Sequence, residues 1–416
     1  MLENKKLPKD WNWVKLGDTF KIVSGNTPKG LEKNSNTGDF QFYKVSDMNL
    51  TGNEIRMNTS NIKLTEEEVS KLKIKIYPKG TVIFPKRGGA ILTNKKRLLS
   101  KDASFDLNVM GVLPNEKVTS NFLFYWFQKL DLAKIYDGSN VPQINNKNVA
   151  PLDFPLPPLE TQQAIVSKIE ELFSELDKGI EDLKTAQQQL KIYRQSVLKW
   201  AFEGKLTNTK VKKGELPKGW KIVKVGDISL KVTDGEHATP KRTESGIYLL
   251  SARNIQNGYL ALSNVDYIPQ DEYNRIIKRC NPEEGDILIS CSGSIGRICR
   301  VPKDLKFGMV RSVALVKMDW SQYDSKYFEY LFQSPILQRQ IENGKKATAQ
   351  ANLFLGPIKN LDLIICNLEE QYQVVQEIES RLSVADKMEE SIAQSLKQAE
   401  ALRQSILKKA FSGELI

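Results

Sequence analysis

The fold is decided by residues 157–206, which read PPLETQQAIVSKIEELFSELDKGIEDLKTAQQQLKIYRQSVLKWAFEGKL. Pro157 and Pro158 stop any helix before this stretch, and Gly204 is placed to end one within it. Forty residues of helix span about 60 Å, which is longer than a core helix of a domain this size. Apolar residues recur every seven positions and predict a helix with an apolar seam that is sustained over five repeats and interrupted at Gly179: Ile169, Leu176, Leu183, Leu190 and Val197.

The features of this helix return 209 residues later in the chain. Residues 159–162 read LETQ and residues 368–371 read LEEQ, while AFEG at 201–204 returns as AFSG at 410–413. A motif before each block also repeats, as LPKDW at 7–11 and LPKGW at 216–220. The second copy has its own seam, at Ile378, Ala385, Ile392, Ala399 and Ile406. Two such helices most simply pack on each other, and the alternative is that each packs on its own globular block.

Between the repeated segments lie two blocks whose sequences have diverged. They still share a skeleton at an offset of 205, in which residues 43–49 match 248–254. An apolar strand that follows a glycine at 80–84 matches 285–289, and an aromatic helix at 124–128 matches 329–333. Short strands with few helices predict an α+β block. The order is therefore block, helix, block, helix, with a polar linker at 208–219.

Composition places the positive charge in the two blocks. The chain of 416 residues has a net charge of +11, with 40% hydrophobic and 27% charged residues, as in ordinary soluble domains. Residues 1–150 hold 24 basic against 15 acidic side chains and residues 216–360 hold 21 against 15, whereas residues 160–203 and 361–416 are net acidic. Two basic blocks on an acidic frame favour a polyanion as the partner.

Nothing in the sequence indicates a membrane or an oxidising compartment. No apolar run is long enough to span a bilayer and the N-terminus lacks an apolar leader, so we expect a cytoplasmic protein without a membrane partner. The four cysteines have neither disulfide nor zinc spacing, and buried free thiols are the simplest interpretation: Cys280, Cys291, Cys299 and Cys366.

A search for catalytic chemistry finds no active site. The single histidine, His237, lies in a polar loop without a second candidate ligand, so a surface or structural role is expected, with a DNA contact as the alternative. Phosphate-binding loops are absent, and Asn281-Pro282-Glu283-Glu284 lacks the second proline and the aromatic residue of an adenine methyltransferase motif. We therefore predict that the chain is not an enzyme and has no catalytic residues, cofactor site or metal site.

Nucleic-acid binding is better supported, because glycine-containing loops rich in hydrogen-bonding side chains follow the same strand in both blocks. Glycine lets backbone approach a phosphate, arginine and lysine read guanine edges, and asparagine reads adenine. A further cluster lies at 241–254, with Lys44 and Asn49 as its counterpart, and another at 345–346. The predicted DNA-binding residues are Lys44, Asn49, Lys86, Arg87, Lys95, Lys96, Arg97, Lys241, Arg242, Arg253, Asn254, Ser292, Ser294, Arg297, Arg300, Lys345 and Lys346.

The whole pattern resembles the specificity subunit of type I restriction–modification systems. In that family a Pro-Pro-Leu-x-Glu-Gln-like motif opens each conserved helix, as at 157–162, and a Ser-x-Leu-x-x-Ala-Phe-x-Gly-x-Leu motif closes it, as at 196–206 and 405–415. The second copy departs at 365–367, where Ile-Cys-Asn replaces the double proline. The resemblance covers the chain and implies two target recognition domains joined by two long antiparallel coiled-coil helices in a pseudo-twofold internal repeat.

The resemblance also implies an assignment for each segment. Residues 1–158 would be the first target recognition domain and 159–206 the first conserved helix, a central spacer. Residues 207–367 would hold the linker and the second domain, and 368–416 the second helix, a distal spacer. Two methyltransferase subunits with S-adenosylmethionine and two restriction subunits with ATP and magnesium would join this subunit on double-stranded DNA. The alternatives are a nuclease or methyltransferase with its own active site, and a DNA-binding coiled-coil scaffold or regulator without methyltransferase partners.

Overall fold

A computed structural model describes residues 7–33, 36–138, 140–208, 210–212, 214–345 and 352–416. The chain forms two compact units. Unit 1 comprises residues 1–183 and 394–416, and unit 2 comprises residues 184–393. Each unit therefore contains one globular block, the first part of one long helix and the last part of the other, whereas the sequence suggested four consecutive segments.

Unit 1 is built on a five-stranded sheet of order β2-β9-β6-β7-β4, beside a three-stranded sheet β5-β3-β8 and a pair β1-β10. Its strands are β1 Asn12–Lys15, β2 Ile22–Ser24, β3 Phe40–Tyr43, β4 Arg56–Met57, β5 Ile62–Leu64, β6 Val82–Pro85, β7 Arg97–Leu99, β8 Ala103–Phe105, β9 Val109–Val112 and β10 Asp153–Leu156. Its helices are α1 Leu16–Thr19, α2 Glu66–Lys71, α3 Ser120–Lys129, α4 Asn146–Val149 and the start of α5 Leu159–Phe202.

Unit 2 repeats this plan with a four-stranded sheet β12-β20-β17-β18, a three-stranded sheet β16-β13-β19, and the pairs β14-β15 and β11-β21. Its strands are β11 Lys221–Lys224, β12 Ser229–Asp234, β13 Ile247–Leu250, β14 Ile255–Gln256, β15 Tyr259–Leu260, β16 Asp266–Ile268, β17 Ile287–Ser290, β18 Ile298–Arg300, β19 Phe307–Met309, β20 Val313–Met318 and β21 Asp362–Ile365. Its helices are α6 Val225–Ile228, α7 Gln270–Ile276, α8 Ser325–Gln333, α9 Pro335–Asn343, α10 Leu355–Lys359 and the start of α11 Leu368–Ala410. The predicted α+β class is confirmed.

The two long helices run antiparallel within each unit. In unit 1, Arg403 of α11 forms an ion pair with Asp177 of α5 and stacks 4.4 Å from the ring centroid of Phe173. In unit 2, Arg194 of α5 binds Asp386 at 2.7 Å and Glu389 at 2.9 Å. Near the globular block, apolar residues of both long helices belong to the core of each unit. In unit 1 these residues include Ile165, Ile169, Leu407 and Phe411. In unit 2 they include Val197, Phe202, Val374 and Ile378.

The recurring glutamine of the two LExQ motifs joins each long helix to its globular block. Gln162 is fully buried, accepts a hydrogen bond from the backbone N–H of Thr119 at 2.9 Å and donates to the carbonyl of Pro157 at 3.0 Å. Gln371 does the same with the N–H of Asp324 and the carbonyl of Cys366, both at 2.9 Å. Thr119 and Asp324 are the N-caps of α3 and α8. In both motifs one amide satisfies two backbone groups, of which the carbonyl is buried and the N–H is partly buried.

Replacing Gln371 with leucine should therefore destabilise unit 2 strongly. Leucine leaves the buried Cys366 carbonyl and the partly buried Asp324 N–H without partners, at about 1–3 kcal/mol for the buried group and less for the other. We expect the urea unfolding midpoint of the full-length chain to fall, while Gln373→Leu, an exposed position on the same helix, leaves it nearly unchanged. Equal midpoints for the two variants would contradict the role given to Gln371.

The cysteines are free and buried, as predicted, and burial raises the pKa of each thiol.

The alignment of residues 43–49 with residues 248–254, made from the sequence, is wrong by two residues. β3 and β13 pair with β8 and β19 so that Tyr43 corresponds to Leu250, and the capping pairs Lys44/Asp47 and Ser251/Asn254 correspond to each other. The counterpart of Asn254 is therefore Asp47, because the hydrogen-bonded turn, and not the matching tyrosines, defines equivalence.

Candidate nucleic-acid interface

In unit 1, the loops that follow β2 and β6 lie beside residues 105–109 and Ile144 at one end of the five-stranded sheet, which is the main sheet of the unit. We call this surface the ledge. After β2, the N–H of Gly25 donates to the carbonyl of Val109 at 3.0 Å, and the N–H of Asn26 donates to the carbonyl of Phe105 at 3.1 Å. After β6, the N–H of Lys86 donates to the carbonyl of Asn108 at 2.8 Å, and the carbonyl of Lys86 accepts from the N–H of Ile144 at 2.9 Å. Four segments distant in sequence are thus fixed side by side.

Unit 2 builds the same ledge with the same hydrogen bonds. The N–H of Gly235 donates to the carbonyl of Val313 at 3.2 Å, and that of Glu236 donates to the carbonyl of Met309 at 2.8 Å. The N–H of Cys291 donates to the carbonyl of Ser312 at 2.8 Å, and its carbonyl accepts from the N–H of Leu353 at 2.9 Å. A Cβ on either Gly25 or Gly235 would lie 2.1–2.2 Å from a backbone oxygen, so a glycine directly follows both strands. The backbone frame is shared and the side chains on it differ.

In unit 1 the ledge is basic. Arg87 is exposed, and the Lys86 ammonium donates to the hydroxyl of Ser24 at 2.9 Å. Burial and the neighbouring guanidinium of Arg87 lower the pKa of Lys86. The exposed side chain of Lys44 lies at the start of the capped turn that follows β3. The structure therefore keeps three of the predicted DNA-binding residues available at this end of the unit.

In unit 2 two adjoining depressions lie on the ledge. One, of about 500 Å³, is lined by Arg253, Ser292, Ser294 and Arg297, which were all predicted from the sequence. The other, of about 600 Å³, shares Ser292 with it and adds His237 and Arg311. Sequence reasoning missed Arg311 because it is isolated in the sequence, and no basic cluster marks it.

His237 lies among charged neighbours. Its Nε2 lies 2.8 Å from Asp234 Oδ2 and 3.1 Å from Arg279 Nη2, and Arg279 also forms an ion pair with Asp234 Oδ1 at 2.7 Å. Within the described parts of the chain, no group of three His, Cys, Asp or Glu side chains could hold a metal ion.

Two predicted residues are already paired with a carboxylate. Arg242 and Arg253 bind the two oxygens of Asp266, at 3.0 and 2.8 Å. Both guanidinium groups are about half-exposed, and Asp266 neutralises part of their charge. Lys241 is exposed beside them, and its N–H donates to Glu272 at 3.2 Å. These side chains can still contact phosphate at the surface, but with reduced net charge.

For two of the predicted DNA-binding residues, Lys96 and Asn254, the prediction is wrong because both side chains are buried. Lys96 is 1% exposed, and its ammonium donates to the side-chain oxygen of Asn94 at 2.7 Å and the carbonyl of Leu130 at 2.5 Å. Asn254 is fully buried, and its amide caps the turn at Ser251 and donates to the carbonyls of Ala261 and Asn264. Both groups are committed to holding loops and cannot reach a nucleic acid in this conformation.

Other predicted residues lie apart from the ledge or are engaged within their own unit. Lys95 contacts Asn49, and Arg97 donates to the carbonyls of Lys96 and Met48. Arg300 lies 3.5 Å from the largely buried Glu329 and lines a separate depression. Lys345 forms an ion pair with Glu342, and Lys346 falls outside the described residues. Their role in DNA binding stays a prediction, because the structure does not bring these side chains together at one surface.

No helix among the described residues is long and apolar enough to span a membrane.

The family model for the type I restriction modification DNA specificity domain matches the chain twice, at residues 8–185 and 217–401. The chain thus consists of two copies of a DNA specificity domain. It belongs to the specificity subunits of type I restriction–modification systems.

Individual relatives agree with this assignment. The chain is 29% identical to the EcoBI specificity subunit of Escherichia coli over 66% of this chain and 61% of that subunit. It is 25% identical to the MjaIX specificity subunit of Methanocaldococcus jannaschii, over 86% and 84% of the two chains, and 24% identical to the EcoKI subunit of E. coli, over 99% and 90%.

Solved structures show the same fold. A chain from a structure concerning complex assembly and conformational transition of the type I R-M system matches with a TM-score of 0.71 and 19% identity, over 98% of this chain and 99% of that one. The HsdS subunit from Thermoanaerobacter tengcongensis matches with a TM-score of 0.58 and 19% identity, over 99% of both chains. The fold named from the sequence is confirmed.

Proposed function

We propose that this specificity subunit recognises a split, asymmetric sequence in double-stranded DNA, with each unit reading one half-site. The observation that carries the proposal is the pair of matched ledges, on which the same backbone hydrogen bonds present different side chains. A shared frame places both sets in the same way relative to their own sheets. Different side chains on equal frames select different bases, so the two half-sites should differ.

The subunit supplies recognition and its partners supply chemistry. Two methyltransferase subunits carrying S-adenosylmethionine, and two restriction subunits using ATP and magnesium, would act in the cytoplasm at the sequence that this chain selects. The names of the relatives, all specificity subunits of type I restriction enzymes, support such an assembly. The basic ledge of unit 1 supports contact with the phosphate backbone.

Methylome sequencing tests the proposal directly. A host expressing this chain with its methyltransferase partner should gain one new motif, made of two unlike half-sites separated by a fixed gap and methylated on adenine in both. A host with the partner alone should gain none. The purified chain alone should transfer no methyl group from labelled S-adenosylmethionine to DNA.

Two outcomes would contradict the proposal in different ways. Methyl transfer by the isolated chain would make it an enzyme. An assembled complex that binds DNA without any new methylated motif would favour the second candidate, a regulator or scaffold that acts through its coiled-coil helices. Separating the two requires only that assembly, DNA binding and methylation are measured on the same preparation.

A further inference from the structure

The second residue before the last strand of the main sheet differs in chemistry between the two units. In unit 1 this residue is Leu107, before β9, and in unit 2 it is Arg311, before β20. The equivalence follows from their neighbours, because the carbonyls of Asn108 and Ser312 accept the matched hydrogen bonds described above. Both side chains are exposed, and Leu107 is 39% exposed although it is apolar.

The backbone on either side of Arg311 is held in place. Its N–H donates to the carbonyl of Glu236 at 3.0 Å, and the next residue but one, Val313, starts β20 and is fully buried. In unit 1 the N–H of Leu107 donates to the hydroxyl of Thr27 at 3.2 Å. The backbone bonds place the Cα atom of each of the two residues at a fixed point of its frame, so that both side chains start from equivalent positions.

Within the residues that the structure describes, the guanidinium of Arg311 is unpaired, unlike those of four nearby arginines. Arg242 and Arg253 bind Asp266, Arg275 binds Glu236 and Glu272, and Arg279 binds Asp234. Over the described part of the chain, Arg311 has neither an ion pair nor a side-chain hydrogen bond. Its five donors therefore stay available at the edge of the 600 Å³ depression that also contains His237 and Ser292.

We infer that positions 107 and 311 are matched specificity-determining positions, and that Arg311 reads a guanine in the half-site bound by unit 2. A guanidinium can donate two hydrogen bonds to the O6 and N7 atoms of guanine, and this pairing discriminates against the other bases. An exposed leucine at the equivalent position has no donor and fits the methyl group of thymine. The inference rests on the proposed function. It adds that Arg311 is the residue that selects guanine in the half-site of unit 2.

The test uses variants that exchange the two side chains in the assembled methyltransferase. Arg311→Leu installs the residue of the other unit and should reduce the preference for guanine at one position of one half-site by about 10- to 100-fold. The other half-site and the gap should not change. Leu107→Arg should alter one position in the opposite half-site only. Arg339→Leu, an exposed arginine on α9, serves as the control and should give the wild-type motif.

Several results would overturn the inference while leaving the proposed function intact. These are a wild-type motif with no guanine in the half-site bound by unit 2, an Arg311→Leu motif identical to wild type, and a preference lost equally at every position. If Arg311→Leu methylates nothing, fluorescence anisotropy with oligonucleotides varied at each base decides the matter. A uniform loss of affinity with guanine preference retained would make Arg311 a phosphate contact, and selective loss at guanine would support the inference. A wild-type complex without any bipartite motif would refute the proposed function first.

Discussion

Gly204→Ala should destabilise unit 2 by about 3 kcal/mol. Part of this free energy comes from placing an L-residue at a positive φ, and the rest comes from a steric clash of the new Cβ. Gly204 has a φ of +74°, where an L-residue is strained, and an ideal Cβ would lie 2.2 Å from Pro217 Cγ. Its counterpart Gly413 has a φ of +76° and the same distance to Pro8. The end of each long helix thus packs on the proline of an LPKxW motif, which explains why both motifs recur.

The matched control for this variant lies close by in the chain. Gly219 has a φ of +90°, but a Cβ there would meet nothing within 4 Å. Gly219→Ala should therefore show only the backbone term, about 1 kcal/mol. Urea unfolding of the two full-length variants measures the difference between them. If they lose equal stability, the contact between Gly204 and Pro217 contributes nothing.

Lys96→Ile should remove a rise in stability that the wild-type chain shows above neutral pH. Burial, the largest cause, lowers the pKa of the Lys96 ammonium to about 8, although Asp131 acts in the opposite direction. Between pH 8 and the ordinary pKa near 10.5, the unfolded chain holds a proton that the folded chain has released. Folding therefore becomes more favourable as pH rises through this window, by up to about 3 kcal/mol, and the unfavourable contribution is fully present below pH 8.

Isoleucine is the natural replacement because the ladder register makes Ile298 the counterpart of Lys96 in unit 2. The free energy of unfolding, measured in urea at pH 7 and at pH 9.5, should rise less with pH in the variant than in the wild-type chain. Every other titrating group is common to both proteins, so the difference reports on Lys96 alone. Parallel pH profiles would show that Lys96 keeps its ordinary pKa when folded.

The false assignment of Lys96 shows where reasoning from sequence is weak. The run Lys95-Lys96-Arg97 has the composition of a solvated basic loop, which favoured a DNA contact. It leads directly into β7, which begins at Arg97, and successive side chains of an extended backbone point to opposite faces. The middle residue, Lys96, points inward. Strand alternation could have warned of this, but the start of a three-residue strand is too short a pattern to detect.

Arg311, which we propose as a specificity-determining residue, was not singled out by the sequence. Nothing in the residues around it marks it as a binding residue, and its accessible position arises from contacts with Glu236 and from the sheet behind it. Conversely, Arg242 and Arg253 look free in the sequence and are paired with Asp266, which lies 24 and 13 residues further along the chain. Charge composition locates a basic block but does not say which cations have carboxylate partners.

The sequence by itself determined the internal repeat, the two long helices, the α+β class and the family, because these depend on periodicity and on motifs that are local in the chain. It also located the loops that follow the Gly80 and Gly285 strands, since turn residues and apolar runs are local signals. The tertiary structure alone decided which side chains of those loops remain free. Burial of Lys96 and Asn254, pairing of Arg242 and Arg253, and exposure of Arg311 all depend on contacts that form only when strands and loops are assembled, and residue type alone does not encode such contacts.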